Sequence, residues 1–364
     1  MKKFGFGCMR LKMNGDEVDY ALFSEMIDRF LAAGCTYFDT ARVYLGGQSE
    51  VALGKCLAAR YPREAFQLTD KLSSFCFQTA EEVRPYFEDM LRACGVEYFD
   101  YLLVHSVNSN TYDHFTRCRA FEQAQEFKAE GKVKHVGFSF HDSPEFLEMV
   151  LREHPEVEVV QLQLNYLDMD SPNVQSRKNY EVCERYGKKV IVMEPVKGGS
   201  LVNLPRAGKE VFDALGGGSY ASYAIRFAAS FPNVIMVLSG MNTIEQMEDN
   251  LSYMADFQPL TPEEQTAVAK VHDIIRSMPK IECTSCKYCV DGCPQGIEIP
   301  TLFALYNRQV NFVECRAPWS YAAAVEGHGK AGDCIRCGKC EKSCPQKLPI
   351  RELLQNVAAH YEKK

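Results

Sequence analysis

Short apolar runs alternate with longer amphipathic stretches eight times along this chain, and few folds accommodate that count. The runs are Phe6–Met9, Tyr37–Thr40, Phe66–Thr69, Tyr101–His105, His135–Ser139, Val159–Leu164, Val190–Met193 and Val234–Leu238. Helical patterns follow them near residues 19–33, 49–60, 79–95, 116–130, 143–152, 173–187, 219–230 and 243–254. Brief apolar runs without polar alternation suit strands buried on both faces. Eight strand–helix units predict a closed (β/α)8 TIM barrel. An open doubly wound sheet is the alternative, but no G-x-G-x-x-G follows the first strand to support it. Thr79, with Glu82 three residues on, predicts a capping box at the start of the third helix.

The C-terminal quarter carries a different signature. Cys283, Cys286, Cys289 and Cys293 follow C-x2-C-x2-C-x3-C and are closed by Pro294; Cys334, Cys337, Cys340 and Cys344 repeat that spacing and are closed by Pro345. Cysteine makes up 16 of 364 residues. Three matches beyond a given first Cys therefore arise by chance about once in ten thousand trials, and here the pattern occurs twice. It is the ligand run of a two-cluster bacterial ferredoxin. Three thiolates two residues apart wrap one face of an iron–sulfur cube, and the fourth, set back and followed by Pro, turns toward the other cube. One 4Fe-4S cluster would take Cys283, Cys286, Cys289 and Cys344, the other Cys334, Cys337, Cys340 and Cys293. Zinc is the competing reading, but zinc pairs come as separated C-x2-C units without the third and fourth Cys or the Pro.

Size and charge agree with two parts. The expected organisation is a barrel over 1–258, a bridging helix or linker over 259–280, and a mostly helical, ferredoxin-like two-cluster domain over 281–364, with helices at Pro300–Asn311 and Arg351–Tyr361. Residues 276–364 hold 13 Lys and Arg against 9 Asp and Glu, whereas residues 1–275 hold 28 against 39. Extra cations beside anionic clusters help to hold their charge. The surplus lacks the dense basic run and interleaved aromatics of a nucleic-acid binder, so no nucleic-acid partner is expected. No signal peptide and no apolar stretch long enough for a membrane span are evident. Cys8, Cys35, Cys56, Cys76, Cys94, Cys118, Cys183 and Cys315 are scattered without a disulfide framework, which together with thiolate ligands points to a reducing cytoplasm.

A second constellation sits where barrel enzymes place their chemistry, at the C-terminal ends of strands. Asp39 ends the second strand with Tyr44 in the loop beyond, Lys71 follows the third strand, and His105 ends the fourth. Consecutive strands are neighbours in a barrel, so the four side chains would converge. Lys71, anchored by Asp39, would lower the pKa of the Tyr44 phenol toward a useful range. Tyr44 would then act as a general acid toward a carbonyl oxygen that His105 orients. Taken singly, each has a duller explanation: a turn cap, a packed ring, a satisfied core histidine.

The segments Phe38-Asp39-Thr40-Ala41-Arg42-Val43-Tyr44 with Gln48-Ser49-Glu50, Leu68-Thr69-Asp70-Lys71, and Tyr101-Leu102-Leu103-Val104-His105 resemble the tetrad motifs of the aldo-keto reductase family. The resemblance covers about residues 4–255, and the whole chain resembles the bacterial members with a C-terminal 4Fe-4S dicluster domain. It implies that Asp39, Tyr44, Lys71 and His105 form a catalytic tetrad, that hydride passes between a nicotinamide and an aldehyde or ketone, and that Tyr44 supplies the proton. It also implies that Ser139 and Gln161 hold the nicotinamide carboxamide and that Asn250 touches adenine. Three departures stand out. Phe140 replaces the usual Asn after Ser139, Met193 falls where an aromatic ring normally stacks on nicotinamide, and the residues that grip the 2′-phosphate of NADP fall on Gly240, Met241 and Gln246. Loss of two cations there removes the basis for preferring NADP, leaving NAD and NADP equally placed.

A hydride carries two electrons and a 4Fe-4S cluster accepts one, so traffic between nicotinamide and clusters needs a converter such as a flavin. No flavin fingerprint is present, but barrels bind FMN without a short motif, so flavin stays an open alternative. Three functions follow: a carbonyl reductase or alcohol dehydrogenase acting on a small carbonyl or alcohol substrate; an oxidoreductase fed through its clusters by a ferredoxin-like or other redox protein; or a carrier whose barrel has lost catalysis. The intact tetrad argues against the last. Oligomeric state and substrate identity have no signature here, and Met9, Val43 and Trp319 are the candidates for the walls of a substrate pocket. Protein purified without air is expected to carry about eight iron and eight inorganic sulfide per chain; two zinc and no sulfide would overturn the cluster assignment.

Overall fold

The computed structural model describes residues 2–172, 174–278, 280–281, 283, 286–311, 318–344 and 346–362. Cys315 and the side chain of Trp319, an expected wall of the substrate pocket, lie outside the described residues. The eight expected runs all form strands: β1 (Phe4–Gly7), β2 (Tyr37–Asp39), β3 (Gln67–Ser73), β4 (Phe99–Val107), β5 (Val133–Phe140), β6 (Val159–Gln163), β7 (Lys189–Met193) and β8 (Val234–Ser239). Each pairs in parallel with its sequence neighbours, and β1 closes the ring by pairing with β8, Phe6 opposite Ser239. On its other side Gly7 lies opposite Asp39, and Asp39 opposite Thr69.

Strand residues two apart share a face, and the barrel interior uses one parity throughout. Tyr37, Tyr101, Leu103, Val159, Ile191, Met236 and Leu238 pack together as the inner core. The Thr69 hydroxyl donates to that of Tyr37 at 2.5 Å within the same layer. Two glycines make room. A Cβ on Gly5 would meet Tyr37 and Leu238 at 2.8 Å, and one on Gly137 would meet the Val159 carbonyl oxygen at 2.1 Å. The outer faces of the strands bury Phe6, Phe38, Leu68, Leu102, Val104, Val136 and Val160 against the surrounding helices.

The helices start and stop where the sequence signals them, with instructive exceptions. Asp19, Ser143, Ser219 and Thr243 each accept from a backbone N–H in the first turn of the helix that follows. Thr79 does not cap by its side chain; Glu82 reaches back instead to the Gln78 N–H at 2.6 Å. The expected helix over 116–130 is two, Tyr112–Arg117 and Ala120–Ala129, parted at Arg119 with φ 54. Sequence periodicity also missed a hairpin of Met13–Asn14 and Glu17–Val18, and the helix Arg206–Asp213.

The chain divides into two compact units, one of residues 1–198 and 218–268, the other of 199–217 and 269–364. The division falls inside the helix Pro262–Ser277 rather than at an extended linker, and the segment carrying Arg206–Asp213 belongs with the second unit. Gly208 of that helix faces Val271 of the same unit. The second unit is helical as expected, with Ile299–Asn311, Pro318–Ala324, Lys339–Ser343 and Ile350–Tyr361. Its core joins Ile297, Leu302, Phe303, Leu354 and Val357 to Cys289 and Cys340. Among the described residues no helix is long and apolar enough to cross a membrane.

Gly137→Ala is expected to cost about 1–3 kcal/mol of unfolding free energy, because the clash is with backbone that cannot swing away. The denaturant midpoint of the variant measures it, and an unchanged midpoint would show that the β5–β6 approach is looser than described.

Candidate functional site

The inner-face parity that builds the core continues one step upward into the barrel mouth. Asp39 lies two residues beyond Tyr37, Lys71 two beyond Thr69, His105 two beyond Leu103, Ser139 two beyond Gly137, Gln161 two beyond Val159, Met193 two beyond Ile191, and Gly240 two beyond Leu238. A cavity of about 530 Å³ opens there, lined by Asp39, Tyr44, His105, Ser139, Gln161, Met193 and Gly240 among others. Met9 and Val43, expected as pocket walls, also line it. Tyr44 opens a short turn in which Leu45, Gly46 and Gly47 all have positive φ.

Beneath the cavity Lys71 is fully buried. Its ammonium has three protons and three partners: Asp39 Oδ1 at 2.5 Å, the Thr40 carbonyl at 2.7 Å and the Tyr44 hydroxyl at 3.2 Å. The other Asp39 oxygen accepts from Gln161 Nε2 at 2.9 Å. Burial works to lower the pKa of Lys71, and the charges and hydrogen bonds of Asp39 and Tyr44 outweigh it, so the ammonium is held charged. For Tyr44 the sequence-based expectation of a lowered phenol is corrected. Burial raises it, and Lys71 pulls down against that with Asp39 opposing, so the net direction is upward. His105 turns Nδ1 toward the Ser73 hydroxyl at 2.6 Å, and its ring stands edge-on to Tyr44 at 6.1 Å between centroids. Burial, then the charges of Lys71 and His141, brings its pKa down to about 3, so the imidazole is neutral near pH 7.

The nicotinamide candidates divide into two groups. Ser139 accepts from the Ser106 N–H at 2.7 Å, which leaves its own proton to donate, and Gln161 spends its amide N–H on Asp39, which leaves its oxygen as acceptor. One donor and one acceptor on adjacent strands suit a carboxamide, whose oxygen and NH₂ need that pair. Met193 and Gly240 line the same cavity. Gln246 and Asn250 do not. The Gln246 side-chain oxygen accepts from the Asn242 N–H at 3.0 Å, and Asn250 is buried with Nδ2 donating to Ser239 at 2.8 Å and its oxygen accepting from Tyr253. Asn250 thus spends its oxygen and one amide proton on partners inside the protein.

Sequence reasoning missed the supporting layer. Ser73, the partner of His105, lies two residues after Lys71 on β3 and was legible by parity alone. Less legible are Glu50 and Asp70, both fully buried. Glu50 binds Arg42 Nε at 2.5 Å, Arg42 continues to Asp89 at 2.6 Å, and Asp70 accepts from the Lys71 N–H at 2.8 Å. Burial, then the charge of Asp70, pushes the Glu50 carboxyl up, and burial pushes Asp70 up as well. Each of these buried carboxyls is thereby biased toward its neutral form.

In the second unit the eight quartet cysteines stand round two cavities. One is lined by Cys283, Cys286, Cys289 and Cys344, the other by Cys293, Cys334, Cys337 and Cys340. Each set draws its fourth thiol from the other quartet, the crossed arrangement that the spacing predicts. Lys287 lines the first cavity, and Arg336, Lys339 and Arg351 line the second, placing cations where anionic cubes would sit. Among the described residues no three or more His, Cys, Asp or Glu converge to chelate a single metal ion. The four thiols lining each cavity, with cations beside them, are the donor set that an anionic 4Fe-4S cluster takes.

Comparison with known proteins agrees with both halves. Residues 3–273 match the model of the aldo/keto reductase family, and residues 282–348 that of the 4Fe-4S dicluster domain. A probable aldo-keto reductase of Glycine max is 31% identical over 164 residues, 43% of this chain and 46% of that protein, so the chain matches about half the length of that relative. L-galactose dehydrogenase of Arabidopsis thaliana is 25% identical over 252 residues, 64% of this chain and 78% of its own. Among solved structures, the holo form of an aldo-keto reductase from Bacillus halodurans superposes with a TM-score of 0.60 at 22% identity, covering 74% of this chain and 91% of that one. One from Klebsiella pneumoniae, in complex with NADP and acetate, gives 0.61 at 17% identity over 74% and 91%.

A depressed His105 has a consequence for folding. Above its unfolded value near 6.5 neither state is protonated, whereas between about 6.5 and 3 the unfolded chain takes up a proton that the folded site refuses. Stability is therefore expected to fall more steeply with acid in the wild type than in His105→Gln. Denaturant midpoints at pH 7 and 4.5 measure it, and parallel losses in the two proteins would show His105 titrating normally.

Proposed function

The chain belongs to the aldo/keto reductase family, whose members are oxidoreductases, and from that premise we propose that it interconverts an aldehyde or ketone and its alcohol with NAD or NADP, alongside two 4Fe-4S clusters. The observation that carries this reading is the Lys71 ammonium, held between Asp39 and the Tyr44 hydroxyl under a cavity large enough for a small carbonyl compound. A nicotinamide bound at that cavity supplies or accepts the hydride. The residues of this chain handle the oxygen and the proton.

Where the Ser73 hydroxyl donates to Nδ1, the neutral His105 ring carries its proton on Nε2 and offers it to the substrate oxygen. Tyr44, its phenol kept protonated by burial, gives its proton to the same oxygen as the carbonyl carbon takes hydride. The phenolate left behind faces the Lys71 ammonium at 3.2 Å. In the reverse direction the phenolate takes the alcohol proton, so oxidation gains over reduction as pH rises. Ser139 and Gln161 orient the ring that exchanges hydride, through the donor and acceptor described above.

The cysteine-lined cavities support a second reading for electrons. Cys286 and Cys337 are exposed, so clusters held there would be accessible to a one-electron carrier. In this reading a redox protein, with a flavin as converter, feeds the reaction in place of free nicotinamide. Substrate reduction by anaerobic protein supplied with a reduced ferredoxin-like donor and no nicotinamide separates the two, since turnover under those conditions belongs to the second alone.

Tyr44→Phe is expected to lower carbonyl reduction by about 10²–10⁴-fold while leaving nucleotide affinity unchanged. Retained turnover would remove Tyr44 from the proton-donating role.

A further inference from the structure

A nicotinamide dinucleotide brings at least two phosphates to the barrel mouth, and phosphates call for charge-assisted partners. Among the described residues lining the cavity, Arg10 is the one Lys or Arg. The strand end that closes the cavity on this side offers no cation of its own: Gly240 has no side chain, Met241 is buried, and Gln246 is engaged in its own turn. Arg10 ends the short turn Cys8–Arg10 after β1, and its stem lies over Gly240, where an added Cβ would be 3.5 Å from Arg10 Cδ.

What holds the guanidinium there is weak. Its Nη2 is 3.8 Å from Glu194 Oε1, with side chains 49% and 33% exposed. An exposed pair at that distance contributes little to stability and exchanges readily for a better anion. The Glu194 backbone, by contrast, is firmly set. Its φ is 56, and its carbonyl accepts at 3.0 Å from Asn165, which also donates to Asp168 at 2.9 Å, itself bound by Lys197 at 2.6 Å. A planar guanidinium poised over a bare strand end, loosely paired with the Glu194 carboxylate, is arranged to take a phosphate in two parallel hydrogen bonds.

We propose that Arg10 receives a phosphate of the dinucleotide cofactor, and that Glu194 holds the guanidinium over Gly240 until that phosphate displaces it. The role rests on the nicotinamide reading above and deepens it: the cation comes from the β1 loop instead of from the residues after β8. Both the diphosphate common to NAD and NADP and the 2′-phosphate of NADP have the required chemistry.

The test uses the full-length, cluster-loaded protein without air, titrated with NADH and with NADPH by nucleotide fluorescence. Arg10→Ala is expected to weaken binding about ten- to hundredfold. An equal loss for the two nucleotides assigns Arg10 to the diphosphate, and a loss confined to NADPH assigns it to the 2′-phosphate. Glu194→Gln frees the guanidinium and is expected to tighten binding severalfold, an effect that disappears when Arg10→Ala is also present. Unchanged affinity for both nucleotides in Arg10→Ala would overturn the proposal alone. So would a raised KM for an anionic carbonyl substrate without any change in nucleotide affinity. A wild type that binds neither nucleotide would overturn the proposal together with the function it rests on.

Discussion

A lysine with no exposed surface can stay charged only if every one of its protons finds an acceptor, and Lys71 meets that condition with Asp39, Thr40 and Tyr44. Removing one member of such a buried pair costs about 3–5 kcal/mol, because the survivor is left unpaired away from water. The fold therefore ties β2 to β3 through the same contact that aims the Tyr44 hydroxyl. Asp39 in turn anchors Gln161 from across the barrel. Stability and chemistry depend on one knot of charge.

That knot was legible because strand parity is rigid. Once Tyr37, Thr69 and Leu103 are placed inside, Asp39, Lys71 and His105 must point inward one layer higher, and no adjustment of loops alters that. The cysteine spacing was legible for a similar reason. Thiols two and three residues apart have a short, fixed reach, and both cavities in the second unit contain the set expected from crossing.

Other features had no local signal. The phenol of Tyr44 is raised although an ammonium touches it, since burial outweighs a single favourable charge and Asp39 partly cancels it. Burial depends on the closed ring, which adjacent residues do not encode. The Arg10–Glu194 contact joins residues far apart in sequence, one after β1 and the other after β7, and closure of the ring brings those two strand ends to either side of β8. The segment 199–217 reads as a loop of the barrel, yet it belongs with the second unit. Asn250 matched its family position by spacing, while its two polar groups are committed to Ser239 and Tyr253.

The ammonium under the phenol is what the chemistry of this site requires. The direct measurement is the single-turnover rate of carbonyl reduction in Asp39→Asn/Lys71→Met, a double change that removes both charges together and leaves neither stranded. The rate is predicted to fall by about a hundredfold or more, with nucleotide affinity within a factor of a few of the wild type. A folded double variant that reduces substrate at the wild-type rate would contradict the central claim.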